Sequence, residues 1–244
     1  MFARGKTISN LKYFREKYHK KTNAVVMGNG PSLKSYDLDK IKLNCGEETI
    51  FLACNRISNL FFEKSLKWRP DIFTCFTSTS LTCKDWKKSI DRCLLDERID
   101  SFVFEDYRKV TDIEKFHENV FFCKNVIEHN RHDKIQNNFI NLPLEAGFLK
   151  SYSATVSLFQ MCNWLEVQNI FIVGQDGYTK PLGENHFSKT YNYEPNNFQK
   201  SNNRILNIHK VLKEFFNEKN INVFNTSSNS ILQKIYEYKD LNYL

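Results

Sequence analysis

Short apolar runs alternate with mixed polar and apolar stretches along most of this chain. Ala24 to Met27 is the first run, with the length and β-branching of a buried strand. It breaks at Gly28-Asn29-Gly30-Pro31-Ser32 and leads into the polar–apolar mixture of Ser35 to Leu43. Thr49 to Ala53, Asp71 to Phe76, Ser101 to Phe104, Val120 to Cys123, Asn169 to Val173 and Ile221 to Phe224 read as further strands. Helical patterns lie between them at Leu81 to Leu95, Thr111 to Glu118, Ser153 to Leu165 and Asn203 to Asn217, with a short helix at the carboxyl end. This alternation predicts an α/β fold, a mostly parallel sheet with helices on both faces.

In such sheets ligands sit beyond the carboxyl ends of the strands. Those ends read Gly28-Asn29-Gly30, Asn55-Arg56, Thr77-Ser78, Gly174-Gln175-Asp176 and Asn225-Thr226-Ser227. All are polar and small, and most can hydrogen-bond a sugar hydroxyl, a base edge or a phosphate. Singly, Asn29 and Asn55 read as turn formers. Five such ends on one edge point to a site for a nucleotide sugar. The glycines of the first turn let the backbone approach phosphate or ribose, with N–H groups aimed at the anion. The turn lacks the third glycine of the dinucleotide fingerprint and the Gly-Lys-Ser/Thr of the P-loop, so a plain tight turn stiffened by Pro31 is the competing reading.

A second constellation follows Ser151. Ser153 or Thr155, either side of Ala154, is expected to cap the helix running to Leu165, whose N-terminus would then face an anion. Asp176 at its strand end suits a ribose hydroxyl, a general base or a buried structural acceptor. The polar stretch Thr179 to Asn197 is long enough to be a lid, and it holds Tyr191, Tyr193 and His186. His186 is the best acid/base candidate of the six histidines, while His209 sits in a helical pattern and reads as structural. No metal-ligand cluster emerges: there is no Asp-x-Asp, and His129-x-x-His132 lacks nearby acidic or cysteine company of convincing spacing. Nor is there a Gly-x-Ser-x-Gly. The expectation is a site without metal or other cofactor, handling phosphate with helix termini, tyrosine hydroxyls and Arg or Lys.

The 244 residues suit one domain, 23–244, with a lid at 179–197, preceded by a basic N-terminal helix within 1–22. No run approaches the roughly 18 apolar residues of a membrane span, and the first 22 residues lack the apolar stretch of a signal peptide. Seven cysteines stand singly, the pattern of reduced, mostly buried thiols in the cytoplasm. Much of the net charge of +7 lies in the first helix, where Leu11, Phe14 and Tyr18 share one face. That helix is a cap with a solvated basic side, or a foothold on the inner face of an anionic membrane. Nucleic acid is not expected, because no binding motif accompanies the charge.

The segments Met27 to Leu33, Cys54-Asn55-Arg56, Ser151 to Thr155 with its helix, and Gly174-Gln175-Asp176-Gly177-Tyr178 together resemble the Campylobacter-type bacterial sialyltransferases. They also resemble the broader group of motility accessory factors and 6-hydroxymethylpterin pyrophosphokinase-like proteins. Asn185-His186-Phe187 is especially similar to members of that group found among surface-polysaccharide genes. The resemblance runs from Asn23 to Leu232, with firm matches only in those motifs.

It implies a Rossmann-like domain that binds a CMP-activated sugar without a metal and closes a lid over it. By position, Asn29 would meet the donor near its phosphate and sugar, and Asn55 the ribose or phosphate. Ser153, Ala154 and Thr155 would hold the sialyl carboxylate. Tyr178 would stabilise the departing phosphate, with Tyr191 or Tyr193 as a second tyrosine. Gly28, Gly30, Pro31, Ser32, Arg56, Gly174 and Gln175 complete the expected donor site. Three departures stand out. Ser151 replaces an arginine, no asparagine follows the third strand, and His186 lies closer to the Gly-x-Asp segment than the family's histidine.

The function expected is transfer of an acidic sugar (sialic-type, another nonulosonate, or Kdo) from a CMP donor to a glycan or lipid-linked glycan acceptor. His186 or Asp176 would act as base. The alternative is a pterin-type diphosphokinase or another nucleotide-binding enzyme. That chemistry uses ATP and a metal and calls for converging carboxylates, of which only Asp176 and Glu184 are evident. A scaffold that keeps the fold without catalysis is the third class. Oligomeric state is left open.

Overall fold

The computed structural model describes residues 11–63, 65–77, 82–126, 146–149, 153–178, 185–187 and 197–241. Its main strands are β1 (Asn23–Met27), β2 (Thr49–Cys54), β3 (Ile72–Cys75), β4 (Asp100–Phe104), β5 (Val120–Cys123), β8 (Asn169–Val173), β9 (Asn222–Asn225) and β10 (Glu237–Tyr238). These eight form one parallel sheet in the order β10-β9-β8-β1-β2-β3-β4-β5. A small parallel pair, β6 (Asn125–Val126) with β7 (Phe148–Leu149), stands apart. The helices are α1 (Leu11–Tyr18), α2 (Leu38–Asn44), α3 (Ser58–Glu63), α4 (Lys84–Leu94), α5 (Val156–Trp164) and α6 (Phe198–Glu218).

The central strands are apolar on both sides because both faces are covered. Every residue of β2, β3, β4 and β5 is buried, as expected of a parallel sheet between helix layers. Strand order runs one way from β1 to β5, then restarts at β8 on the far side of β1. With right-handed crossovers, α2, α3 and α4 cover one face, and α5 and α6 cover the other. The order therefore reverses between β1 and β8, where open α/β sheets bind ligands. Register sharpens this point. Met27 lies opposite both Ala53 and Val173, so β1, β2 and β8 release their next residues side by side.

The first helix is a cap on the opposite edge. Phe14 and Tyr18 are buried, with the Phe14 ring 5.0 Å from Phe102 and 5.8 Å from Phe121 and Trp164. Tyr18 Oη and Lys17 Nζ both donate to Asp100 Oδ2, at 2.5 and 2.6 Å, where β4 begins. Phe14 and Tyr18, two of the three apolar residues of that face, are thus part of the core. Among the described residues, no helix is long and apolar enough to cross a membrane.

Three element expectations need correction. Thr111 to Glu118 is no long helix but a single turn at Ile113–Lys115; among the residues there whose side chains are described, Phe116 is the one buried apolar anchor, and one anchor makes no stripe. The final helix is likewise one turn, Ile231–Lys234, and the chain then adds the edge strand β10. The helix expected from Asn203 begins earlier, at Phe198, capped by the Asn197 side chain accepting from Lys200 N–H. Cys45, Cys54, Cys75, Cys93, Cys123 and Cys162 are buried free thiols and Cys83 is half-buried. Burial pushes the Cys54, Cys93, Cys123 and Cys162 thiols up, which keeps them unreactive.

His209, on α6, is fully buried, and desolvation lowers its pKa to about 3. Tyr236 Oη donates to the His209 carbonyl oxygen at 2.9 Å, so the ring's Nδ1–H donates to that hydroxyl oxygen at 3.1 Å. The imidazole is neutral in the fold, whereas in the unfolded chain it titrates near 6.5. Below pH 6.5 the unfolded state binds the extra proton, so stability falls as pH falls towards 3. We expect the step from pH 7 to pH 5 to remove about 2 kcal/mol through this residue alone. Urea unfolding of His209→Gln should show a correspondingly flatter pH dependence over that interval, and an unchanged slope would contradict the assignment.

Candidate functional site

The site is built where β1 and β8 end together. Gly28 N–H donates to the Val173 carbonyl at 2.8 Å, and Gly30 N–H donates to the Gly174 carbonyl at 2.6 Å. Ser32 N–H, just after Pro31, donates to Asp176 Oδ2 at 2.8 Å. The approach is too close for side chains. A Cβ on Gly28 would lie 2.3 Å from the Gly174 oxygen, and one on Gly30 would lie 2.4 Å from Asp176 Oδ2. This corrects the warrant for the glycines: the chain itself fills the space they open, and two of the turn's N–H groups serve carbonyls instead of an anion. Asp176 is in part the buried structural acceptor. Its Oδ1, equally buried, has no hydrogen-bond partner.

Asn29 ties this turn to the next strand. Its Nδ2 donates to the Cys54 carbonyl at 3.1 Å, and since that carbonyl only accepts, Asn29 Oδ1 must face the other way. It is buried and unpartnered there, as are Asn55 Oδ1 and Ser32 Oγ. Asn55 has φ of 56°, a left-handed conformation uncommon for a non-glycine residue. Arg56 beside it is 4% exposed, its guanidinium 5.9 Å from the Trp86 ring centre. Buried orphan polar atoms and a strained backbone residue at one sheet edge are features that ligand sites retain.

On the β8 side the expected helix cap is not formed. Thr155 precedes α5 in helical conformation, and neither its hydroxyl nor that of Ser153 caps the helix. The hydroxyls turn to Gln175 instead: Thr155 Oγ1 donates to Gln175 Oε1 at 2.8 Å, and Gln175 Nε2 donates to Ser153 Oγ at 2.9 Å. A side-chain amide at the strand end offers a better-placed partner than the first helical N–H groups. Ala154, between the two, is half-buried and packs against the core.

Tyr178 is held by α6. Its N–H donates to Asn202 Oδ1 and its carbonyl accepts from Asn202 Nδ2, both at 2.8 Å. Its ring lies 6.1 Å from that of Phe198 and meets the His186 imidazole edge-on at 6.2 Å. Asn185 and Phe187 are buried on either side of the half-buried His186, and Phe187 N–H donates to the Asn29 carbonyl at 3.1 Å. His186 and Tyr178 therefore stand beside the glycine turn. The rest of the expected lid, with Tyr191, Tyr193 and Glu184, lies outside the described residues, as does Ser151.

Sequence reasoning missed Tyr36. Its hydroxyl donates to the Thr226 carbonyl at 2.5 Å, beyond the end of β9. Burial first, and then the nearby Asp176 charge among others, push its pKa up to about 12 although the Thr226 hydrogen bond works the other way. Asn202 was missed as well, since nothing around it in sequence marks a clamp on Tyr178. Among the described residues, no group of three or more His, Cys, Asp and Glu could hold a metal ion.

A doubly wound parallel sheet with polar groups gathered at its reversal point defines an open-sheet α/β protein. The sequence model of the family described as MptE-like, 6-hydroxymethylpterin diphosphokinase MptE-like, matches residues 2–180, and the chain belongs to that family. No curated protein matches. Among solved structures, a mutant of the α-2,3/8-sialyltransferase CstII is 15% identical with a TM-score of 0.50, covering 90% of this chain and 88% of that one. A CST-II mutant in complex with CMP is 14% identical with a TM-score of 0.52, covering 90% and 87%. CstII from Campylobacter jejuni in complex with the substrate analogue CMP-3FNeuAc is 13% identical with a TM-score of 0.51, covering 90% and 87%. The fold is that of these sialyltransferases.

Gly30→Ala should destabilise the protein by about 2–3 kcal/mol in urea unfolding, because its methyl group meets both the Asp176 carboxylate and the Gly174 carbonyl. A Gly30→Ala variant as stable as the parent would mean that the two strand ends do not need this approach.

Proposed function

We propose that this chain is a metal-independent glycosyltransferase that moves an acidic sugar from a CMP-activated donor to a surface-glycan acceptor. The observation that carries the reading is the edge contact of His186 with Tyr178 beside the β1 turn. Glycosyl transfer needs a base to take the acceptor hydroxyl's proton and a donor to the phosphate that departs. An imidazole is suited to the first role and a phenol hydroxyl to the second. Asn29 and Asn55 line the donor cleft, with Arg56 as its buried cation. The stretch 179–197 acts as a lid that keeps water from the activated sugar. The bound CMP and CMP analogue named for the fold's relatives support this donor class, as does the resemblance of the strand-end motifs. The working location is the cytoplasm, at the inner membrane face if the acceptor is lipid-linked.

A second reading follows from the family's description. A pterin-type diphosphokinase would bind ATP with a metal that offsets phosphate charge. A thermal-shift panel of CMP, CDP, UDP, GDP and ATP, with and without magnesium, separates the two, since a site ligand raises apparent stability by mass action. We expect CMP to protect equally with magnesium and with EDTA. Protection by ATP alone, and only with magnesium, would favour the kinase.

In transfer assays His186→Ala should cut turnover about 10²-fold or more with CMP binding nearly unchanged, as for a lost general base. Tyr178→Phe should slow turnover by weakening phosphate stabilisation. Full activity in His186→Ala would move the base to Asp176 or another group.

A further inference from the structure

Ser153, Thr155 and Gln175 form a closed ring of hydrogen bonds, the third side being Ser153 Oγ to Thr155 Oγ1 at 2.8 Å. Thr155 gives its one hydroxyl hydrogen to Gln175 Oε1. Ser153 must therefore donate to Thr155 Oγ1, while its own oxygen accepts from Gln175 Nε2. Both hydroxyl hydrogens are consumed. Turning the Gln175 amide over reverses the direction around the ring and consumes the same two hydrogens. What each hydroxyl can still offer a ligand is a lone pair.

A second set of atoms has the same polarity. Asn55 Oδ1 and Asp176 Oδ1 are buried oxygens without partners on residues only 8% and 5% exposed, and Asn29 Oδ1 is another, while the donors of the same edge are the Ser32 hydroxyl and the Arg56 guanidinium. Unmet buried acceptors call for a group that donates. A carboxylate or a phosphate cannot satisfy them.

We propose that Gln175 sets the polarity of this edge: it silences the Ser153 and Thr155 hydroxyls as donors, so that the ligand group seated there is a hydroxyl, amine or amide N–H. This rests on the reading of the β1–β8 edge as the ligand site. It also departs from the family resemblance, in which these positions hold a sialyl carboxylate. An acid group on the donor sugar then belongs elsewhere on this edge, and Arg56 has the charge for it. Gln175 is a positioning residue here, acting through the two hydroxyls.

The test uses the full chain and sodium sulfate as the anion probe, titrated against sodium chloride at matched ionic strength in thermal-shift measurements. The general stabilisation that sulfate gives any protein is common to all variants and cancels in the comparison. The parent should show no saturable response, and the near-isosteric Thr155→Val, which removes one of the two hydroxyls, is the comparison for any response that it does show. Gln175→Leu frees the Thr155 hydroxyl hydrogen while Ser153 still donates to Thr155 Oγ1, and it should gain a saturable sulfate response at least about tenfold tighter than any the parent shows, the scale of a hydrogen bond to a charged group.

A folded Gln175→Leu with no such gain would overturn the proposal. So would a saturable response in the parent that Thr155→Val abolishes, a comparison that stands even if Gln175→Leu fails to fold. Failure of CMP to protect the parent would count against the nucleotide reading alone, because the sulfate comparison does not involve CMP.

Discussion

The close approach of two strand ends, β1 and β8, is the constraint on which the rest of this protein depends. These strands are neighbours in the sheet and carry its two directions of winding, yet the paired residues Asn23 and Asn169 stand 146 positions apart in the chain. Three N–H groups of the Gly28–Ser32 turn reach across to Val173, Gly174 and Asp176. Closing a loop of this length costs entropy, though the cost grows only slowly with length. Register pairing and these turn contacts offset it together. Once the turn is seated, Asn29 reaches Cys54 and brings β2 into the same edge, and Phe187 finds the Asn29 carbonyl.

How much of this was legible in the sequence follows from which forces act locally. The long central strands were read closely because strands buried on both faces leave continuous apolar runs such as Thr49–Cys54 and Asn169–Val173. Their polar ends were legible too, since each apolar run gives way to polar residues there, although Asn55, Arg56, Gln175 and Asp176 remain buried. The two-residue strands β6, β7 and β10 carry no periodicity, and their existence depends on partners elsewhere. The hydroxyls of Ser153 and Thr155 were read as caps because local chemistry favours that. A tertiary partner, Gln175, outcompetes the helix for them. The glycines were seen but misread, because no local rule distinguishes room for a ligand from room for a strand that comes much later in the chain.

The polar edge has an energetic cost that bears on function. Asn29, Asn55 and Asp176 each leave a buried oxygen without a partner, and each such atom costs about 1–3 kcal/mol where it is not solvated. An all-structural edge would have filled these positions with apolar residues or paired them. The same edge holds Asn55 in a left-handed conformation and Arg56 almost wholly buried. A ligand that supplies the missing hydrogens recovers that free energy on binding, which makes the destabilised edge a source of affinity.

The same orphan oxygens bear on the choice between transferring a sugar and transferring a diphosphate. Phosphoryl chemistry is mostly a matter of neutralising phosphate charge with cations and N–H donors. The orphan oxygens of Asn29, Asn55 and Asp176 do that poorly, two of the turn's N–H groups are already bonded to carbonyls, and the charge on this edge that suits phosphate is that of Arg56. Sugar and ribose, by contrast, present hydroxyl hydrogens in quantity. These lone pairs favour a ligand recognised through its hydroxyl groups. This polarity adds to the His186–Tyr178 contact in setting the proposed glycosyl reading ahead of the kinase reading.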